Sequence, residues 1–423
     1  MPLRRNRRAS HHSHVTPKKS AISPTIRLWM LRVLVPLGGS RQLIKRNGFS
    51  DDNLAAALGM GQLVEACGDP WDEDPRNIVD FDFSDRDEEA DTVDYDQKRA
   101  QQELRRQYRI AERKKPGDDL SPVLRANFDR LTTLLGLSEV DIRILELTVM
   151  INTMSVLTET VDLLGNVTKA KVYQILSVIL DLPEDQIRQA LAPQGSLASS
   201  GLLIASNGPN LLSVKLELLS EAFAERILAE EMDPVDLLRD NFAECSPPEL
   251  SLDDYDHINT SLKVMVPYLR RSVETRRQGV NIFLYGQPGT GKSQLARVLA
   301  HALGCDLFQV ACENAAGDPV QGEKRLRAFR AAQSILSQRK VMIVFDEAED
   351  VFDDGDLFFG RKSTAQTQGL DQSQPGRKPR PHHLVVEPDF RPGPGLHSPI
   401  RHGARTAYPA EAKATADFEQ DLW

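Results

Sequence analysis

Residues 286–293 run Gly-Gln-Pro-Gly-Thr-Gly-Lys-Ser, the spacing GxxxxGK[ST]. The residue types suit a phosphate chain. Gly286, Gly289 and Gly291 carry no Cβ, so the backbone can curl and turn its N–H groups toward an anion. Lys292 offers a cation to β- and γ-phosphates, and the Ser293 hydroxyl can ligate Mg2+. Gln287, Pro288 and Thr290 fill the loop between them. Roughly fifty residues on, the apolar run Val341–Phe345 ends at Asp346-Glu347. Asp346 would hold Mg2+ directly or through water, and Glu347 would orient and deprotonate an attacking water. The bland use of the two acids is to open a helix, since Asp and Glu favour a first turn; the loop upstream favours the catalytic use. Together and in this order, the motifs predict binding of ATP with Mg2+.

The flanking elements must position these groups. The apolar run Asn281–Tyr285 stops at the first glycine, as a buried strand should. After Gly291, residues Leu295, Val298, Leu299, Ala302 and Leu303 fall at helical spacing on one face. The helix so predicted points its positive N-terminus at the phosphates.

GQPGTGKSQLARVLAHAL followed by VFDEAED resembles the AAA+ ATPase family, specifically its classical AAA branch of bacterial type. Gly322-Glu323-Lys324-Arg325-Leu326-Arg327 is similar to that branch's second-helix motif. The resemblance covers about residues 255–360. It implies an α/β P-loop NTPase with an αβα core, a homo-oligomeric ring, ATP at subunit interfaces, and hydrolysis coupled to remodelling of a protein partner. Threading members of the family carry an aromatic just before the Gly-Glu motif. Here that stretch is Gly317-Asp318-Pro319-Val320-Gln321, so the resemblance does not extend to threading.

By the same resemblance, the core needs two more strands, a sensor residue, an arginine finger and a helical lid. Residues 361–423 offer none of these. They hold eight Pro and five Gly, and their one apolar run is Leu384-Val385-Val386. Composition alone reads as a disordered tail. The genetic code permits a sharper reading. Codons compatible with Pro381–Glu387, read one base later, give Pro-Thr-Ile-Trp-Leu-Ser-Asn, a strand ending in a sensor-type Asn. In the same shifted frame, Leu396–Gly403 permits Phe-Ile-Arg-Arg-Phe-Asp-Met-Val, similar to an arginine-finger segment. Gln368–Pro381 permits an amphipathic helix and turn. The expectation is a frameshift between about Ser363 and Gln368, which leaves the core incomplete, ATP binding weak and hydrolysis poor.

Charge is uneven along the chain. The net value is −9, yet residues 1–50 hold eleven Lys/Arg and no acid, and residues 69–96 hold thirteen Asp/Glu against two Arg. Such blocks are usually solvated. Residues 1–50 therefore read as a basic, disordered segment, a transit peptide or a mis-assigned start, and residues 51–118 as an acidic then basic low-structure region. Arg27 and Arg32 interrupt the apolar run Ile26–Leu37, and no stretch of about 20 apolar residues exists; no membrane partner is expected. Four scattered cysteines without CxxC spacing argue against a zinc site and suit a cytoplasmic location.

Residues 119–232 read as a helical, winged-helix-like domain. Ser138-Glu139-Val140-Asp141 is a capping box, with Ile144, Leu147 and Ile151 turned inward. Val172, Ile175, Leu176 and Ile179 mark a second helix and Pro183–Leu191 a third. Ser196–Leu203 and Leu211–Leu216 then read as a β-hairpin. The third helix, Glu184-Asp185-Gln186-Ile187-Arg188-Gln189, lacks the cationic footprint of DNA docking. The unit is expected to choose a protein substrate. The alternatives are a winged-helix DNA-binding regulator that uses ATP as a switch, and a truncated nucleotide binder that does not hydrolyse. Residues 233–254 read as a linker, 255–360 as the partial ATPase core and 361–423 as the disordered or frameshifted tail.

Overall fold

A computed structural model describes residues 22–65, 95–114, 119–275, 277, 280–286, 289–314 and 317–346, with the backbone of 402–406. The chain divides into two compact units, Met1–Leu120 and Ser121–Trp423.

The first unit holds α1 (Pro24–Leu34), α2 (Ser40–Leu43), the short strands β1 (Ile44–Lys45) and β2 (Gly48–Phe49), α3 (Asp52–Ala57), α4 (Gly61–Glu65) and α5 (Gln97–Lys114). Here the structure corrects the expectation of a disordered 1–50 and a low-structure 51–118, at least for its described residues. The two arginines that break the apolar run of α1 are satisfied internally. Arg32 makes a two-pronged ion pair with Glu112 at 2.7 and 3.0 Å. Arg27 donates to the Leu58 carbonyl at 2.8 Å and to Gln107 at 3.0 Å. With Arg32 paired and Arg27 hydrogen-bonded, Trp29, Leu31 and Val33 are free to bury.

The second unit begins with helices α6 (Pro122–Leu135), α7 (Glu139–Thr153), α8 (Ser155–Asp162), α9 (Lys169–Leu180), α10 (Glu184–Ala190) and α11 (Ser196–Ser199). Then come β3 (Leu203–Ala205), α12 (Leu212–Lys215), β4 (Leu216–Leu218), α13 (Glu221–Ala229) and α14 (Pro234–Leu237). Ile144, Leu147, Ile151, Val172, Ile175, Leu176 and Ile179 all lie in the core. The hairpin is present but displaced from its expected strands: β3 pairs antiparallel with β4, Leu203 opposite Leu218. Ser196–Ser199 winds into a helical turn instead, and Gly201 at φ +74° ends it before the extended run begins.

The remaining elements form the nucleotide segment. They are β5 (Phe242–Glu244), a 3₁₀ turn (Leu252–Ile258), α15 (Asn259–Glu274), β6 (Ile282–Gly286), α16 (Lys292–Leu303), β7 (Asp306–Val310), α17 (Gly322–Ile335), β8 (Val341–Val344) and β9 (His402–Thr406). β7 and β8 are parallel, Asp306 opposite Val341, and all four residues of β8 are buried. A parallel strand covered on both faces needs such an unbroken apolar run. The stretch expected as a linker contributes β5, antiparallel to β7, with Phe242 opposite Val310. Phe242 is buried and meets Phe308 edge-on, ring centres 6.2 Å apart. That aromatic contact packs β5 onto the strand it pairs with. β6 pairs in parallel with β9 through the backbone, Ile282 opposite His402. Among the described strands, β6 and β8 are not hydrogen-bonded to each other. Both pack against α16 and share one apolar core with Leu295, Val298, Leu299 and Leu303.

Candidate nucleotide site

The strand β6 delivers the chain to Gly286 and α16 takes it up at Lys292. Between them Gly289 and Gly291 both adopt left-handed backbone, φ +81° and +77°. An L side chain rarely tolerates that conformation, so glycine is required at both positions. At Gly291 space adds to the requirement: a Cβ there would meet the Tyr255 hydroxyl at 3.3 Å. Gly291 opens α16 without a side-chain cap. The first turn's N–H groups are therefore not covered by a capping side chain.

Tyr255, from the 3₁₀ turn, donates its hydroxyl to the Gly291 carbonyl at 3.0 Å. Burial, with Asp254 nearby, pushes its phenol above the ordinary tyrosine range, so it stays a donor. Ser251 and Asp254 hold the turn through a reciprocal cap, the Ser251 amide donating to Asp254 at 2.7 Å. The sequence reading missed Tyr255. Its one signal was an apolar-bodied donor inside an otherwise acidic stretch, Asp253-Asp254-Tyr255-Asp256.

At the other motif, β8 ends and Asp346 follows. Ser293 donates its hydroxyl to Asp346 Oδ2 at 3.0 Å, across 53 residues of chain. The structure thus brings together the hydroxyl and carboxylate expected to hold Mg2+. Both are oxygen donors, the hard ligands Mg2+ prefers. Lys292 and Thr290 flank this contact in sequence, at the start of α16 and in the loop before it. Gln287, Pro288 and Glu347 lie outside the described residues, as does the run Leu384-Val385-Val386.

Two arginines missed as functional candidates come from α17. Arg325 donates to the backbone carbonyl of Asp346 and lies over the Phe345 ring, 4.6 Å from its centre. Arg327 reaches the other way, into the helical region. Among the described residues no group of three or more His, Cys, Asp or Glu side chains could hold a metal ion. None of Cys245, Cys305 and Cys312 forms a disulfide, and burial raises the thiol pKa of Cys245 and Cys305. No described helix is long and apolar enough to cross a membrane.

No curated protein and no solved structure matches the chain. Residues 282–372, which open with β6 and include the loop, α16, α17 and β8, match the family model described as ATPase family associated with various cellular activities (AAA). That match supports the AAA+ ATPase family for this segment and, with it, a nucleotide-binding ATPase of α/β P-loop type.

Proposed function

We propose that this chain binds ATP with Mg2+ at the 286–293 loop, and that the nucleotide serves to remodel a protein partner. The observation that carries this reading is the 3.0 Å contact between Ser293 and Asp346, which joins two motifs far apart in sequence. Lys292 would neutralise the β- and γ-phosphates, and Ser293 with Asp346 would hold Mg2+. Glu347 would take the proton of the attacking water. Mg2+ supplies charge neutralisation at the transferred phosphoryl group; the protein supplies orientation through the loop backbone and α16.

The helical unit at 119–232, winged-helix-like in its helices-then-hairpin order, would select the partner. DNA is the weaker candidate, because α10 opens with Glu184 and Asp185 rather than with cations. AAA proteins of the classical, bacterial type form homo-oligomeric rings, and a cytoplasmic ring is the assembly we propose for the complete protein. Salt-dependent retention of the full chain on a DNA column would favour the DNA-binding regulator instead.

We further propose that the reading frame shifts between about Ser363 and Gln368. The family match runs to residue 372, a few residues past that interval, so the reading rests on the shifted-frame stretches alone. If the frame shifts there, the chain forgoes the contribution of an arginine finger, about 10³–10⁵ in turnover, and hydrolysis should be slow. Phosphate release by the full chain near the enzyme median of about 10 s⁻¹ contradicts the proposed impairment. Resequencing the coding DNA across Ser363–Gln368 tests the frame directly: one extra or missing base supports the shift, and an unchanged frame removes it.

A further inference from the structure

Two buried arginines leave α17 on nearly opposite faces, since residues i and i+2 sit about 200° apart on a helix. Arg325 is 1 % exposed and Arg327 3 %. On one side, Arg325 donates to the Asp346 carbonyl, lies 3.3 Å from Cys312 Sγ and covers the Phe345 ring. Phe329, one helical turn on, meets Phe345 edge-on at 5.8 Å. On the other side, Arg327 donates to the Glu217 carboxylate at 2.6 Å and to the Glu217 carbonyl at 2.8 Å, and its Nε lies 3.4 Å from the Gly201 carbonyl. At Gly201 the backbone of α17 comes so close that a Cβ would collide with the Arg327 carbonyl.

Removing the partners of a guanidinium buried this deeply is costly, because it leaves a poorly hydrated charge behind. Burial already lowers the Arg327 pKa, and Glu217 opposes that shift. The helix is therefore held at both ends of a line that runs from the carboxyl end of β8 to the β3–β4 hairpin.

We infer that α17 is a strut that transmits the state of Asp346 to the β3–β4 hairpin, with Arg325 as a positioning residue for Asp346 and Arg327 as the hairpin attachment. The inference rests on the nucleotide reading above. Ser293 and Asp346 are the residues that would hold Mg2+, and Arg325 holds the carbonyl of that same Asp346. A shift there moves α17 as a body, and Arg327 carries it to the backbone of Gly201 and Glu217. The hairpin belongs to the region proposed to select the partner, so partner contact and nucleotide state become linked.

Hydrogen exchange on the full chain, with and without Mg2+ and a non-hydrolysed ATP analogue, tests this. In the unsubstituted protein, amides of Gly201–Ala205 and Leu216–Leu219 should exchange about fivefold or more slowly when the analogue is bound. Arg327→Met should bind the analogue with unchanged affinity yet lose that protection. Arg325→Met should weaken the Mg2+ dependence of binding by about 10–100-fold, as loss of an outer-shell partner does, and leave metal-free nucleotide binding unchanged. Should Arg327→Met fail to fold, Glu217→Ala keeps the backbone acceptor and should show part of the loss; the Glu217 side chain is 33 % exposed. Unchanged hairpin amides in an unsubstituted chain that does bind Mg2+ and nucleotide overturn the strut alone. Retention of the protection in Arg327→Met, or in Glu217→Ala where that variant stands in for it, overturns it equally. If the unsubstituted chain binds no nucleotide with Mg2+, the nucleotide reading has failed and the strut falls with it.

Discussion

Two helices of the helical region, α7 and α13, begin with first-turn amides satisfied by their own N-cap side chains. α7 opens with Ser138 and Asp141 capping each other, the Ser138 amide donating at 2.9 Å and the Asp141 amide at 3.2 Å. α13 opens with the Phe223 amide donating to Ser220 at 3.1 Å. Asn127 is buried and uses both ends of its amide: it donates to the Ile227 and Glu230 carbonyls and accepts from the Met232 amide. The nucleotide segment behaves differently at the corresponding place. α16 begins behind Gly291, whose residue type can offer no side-chain cap. What supports that turn is Tyr255, which takes up the Gly291 carbonyl and leaves the N–H groups alone. The same physical demand, satisfaction of a helix's first amides, is thus met by a side chain at α7 and α13 and not at α16, where the proposed partner is an anion.

Substitutions can break or sharpen this contrast. The largest effect should come from Phe242→Ala, which removes a fully buried aromatic from the strand that joins the segment once read as a linker to the sheet. It should cost about 3–5 kcal/mol of stability, read by denaturant unfolding, and should weaken nucleotide binding along with the fold. Lys292→Ala comes next and should separate the two properties. It would delete the charge-assisted phosphate contact proposed for this lysine, so nucleotide affinity should fall by about 10–100-fold while the unfolding midpoint stays put. A large stability loss in that variant would mean that the lysine serves the fold instead.

Ser138→Ala is the mirror experiment. It should cost about 1 kcal/mol, the usual value for a lost N-cap, and leave nucleotide affinity unchanged. The smallest effect concerns Glu146 on α7. Burial raises its carboxyl pKa, against the attraction of Arg143 and Arg125. The folded state then keeps a proton that the unfolded chain has released. Stability is accordingly lost as pH rises from the ordinary glutamate value through the raised one. Glu146→Gln should flatten that part of the stability–pH curve and raise stability at neutral pH, with no change at the nucleotide loop. A steeper curve in the variant would contradict the sign.

Local chemistry was legible in the sequence wherever a motif or a periodicity carried it. The glycines of the loop, the apolar strand before it and the inward face of α16 follow from residue type and spacing; so does the Ser138 capping box. What depended on distant partners was not legible. Arg27 and Arg32 read as interruptions of an apolar run, since nothing local shows that Gln107 and Glu112 lie opposite them. Phe242-Ala243-Glu244 is too short to announce a strand, and only its pairing with β7 makes it one. Arg325 and Arg327 look like ordinary surface cations on a charged helix until the carbonyl of Asp346 and the side chain of Glu217 are placed beside them. Exposure or burial of a charge is a tertiary fact, and a single sequence does not display it.

The claim on which the rest depends is that the loop and Asp346 together form a Mg2+-dependent nucleotide site. Equilibrium titration of the full chain with ATP, in the presence and absence of Mg2+, tests it most directly. Saturable binding that tightens with Mg2+, and that loses this dependence in Asp346→Asn, is the predicted result. Binding that is absent, or equally strong with and without the metal, would contradict it.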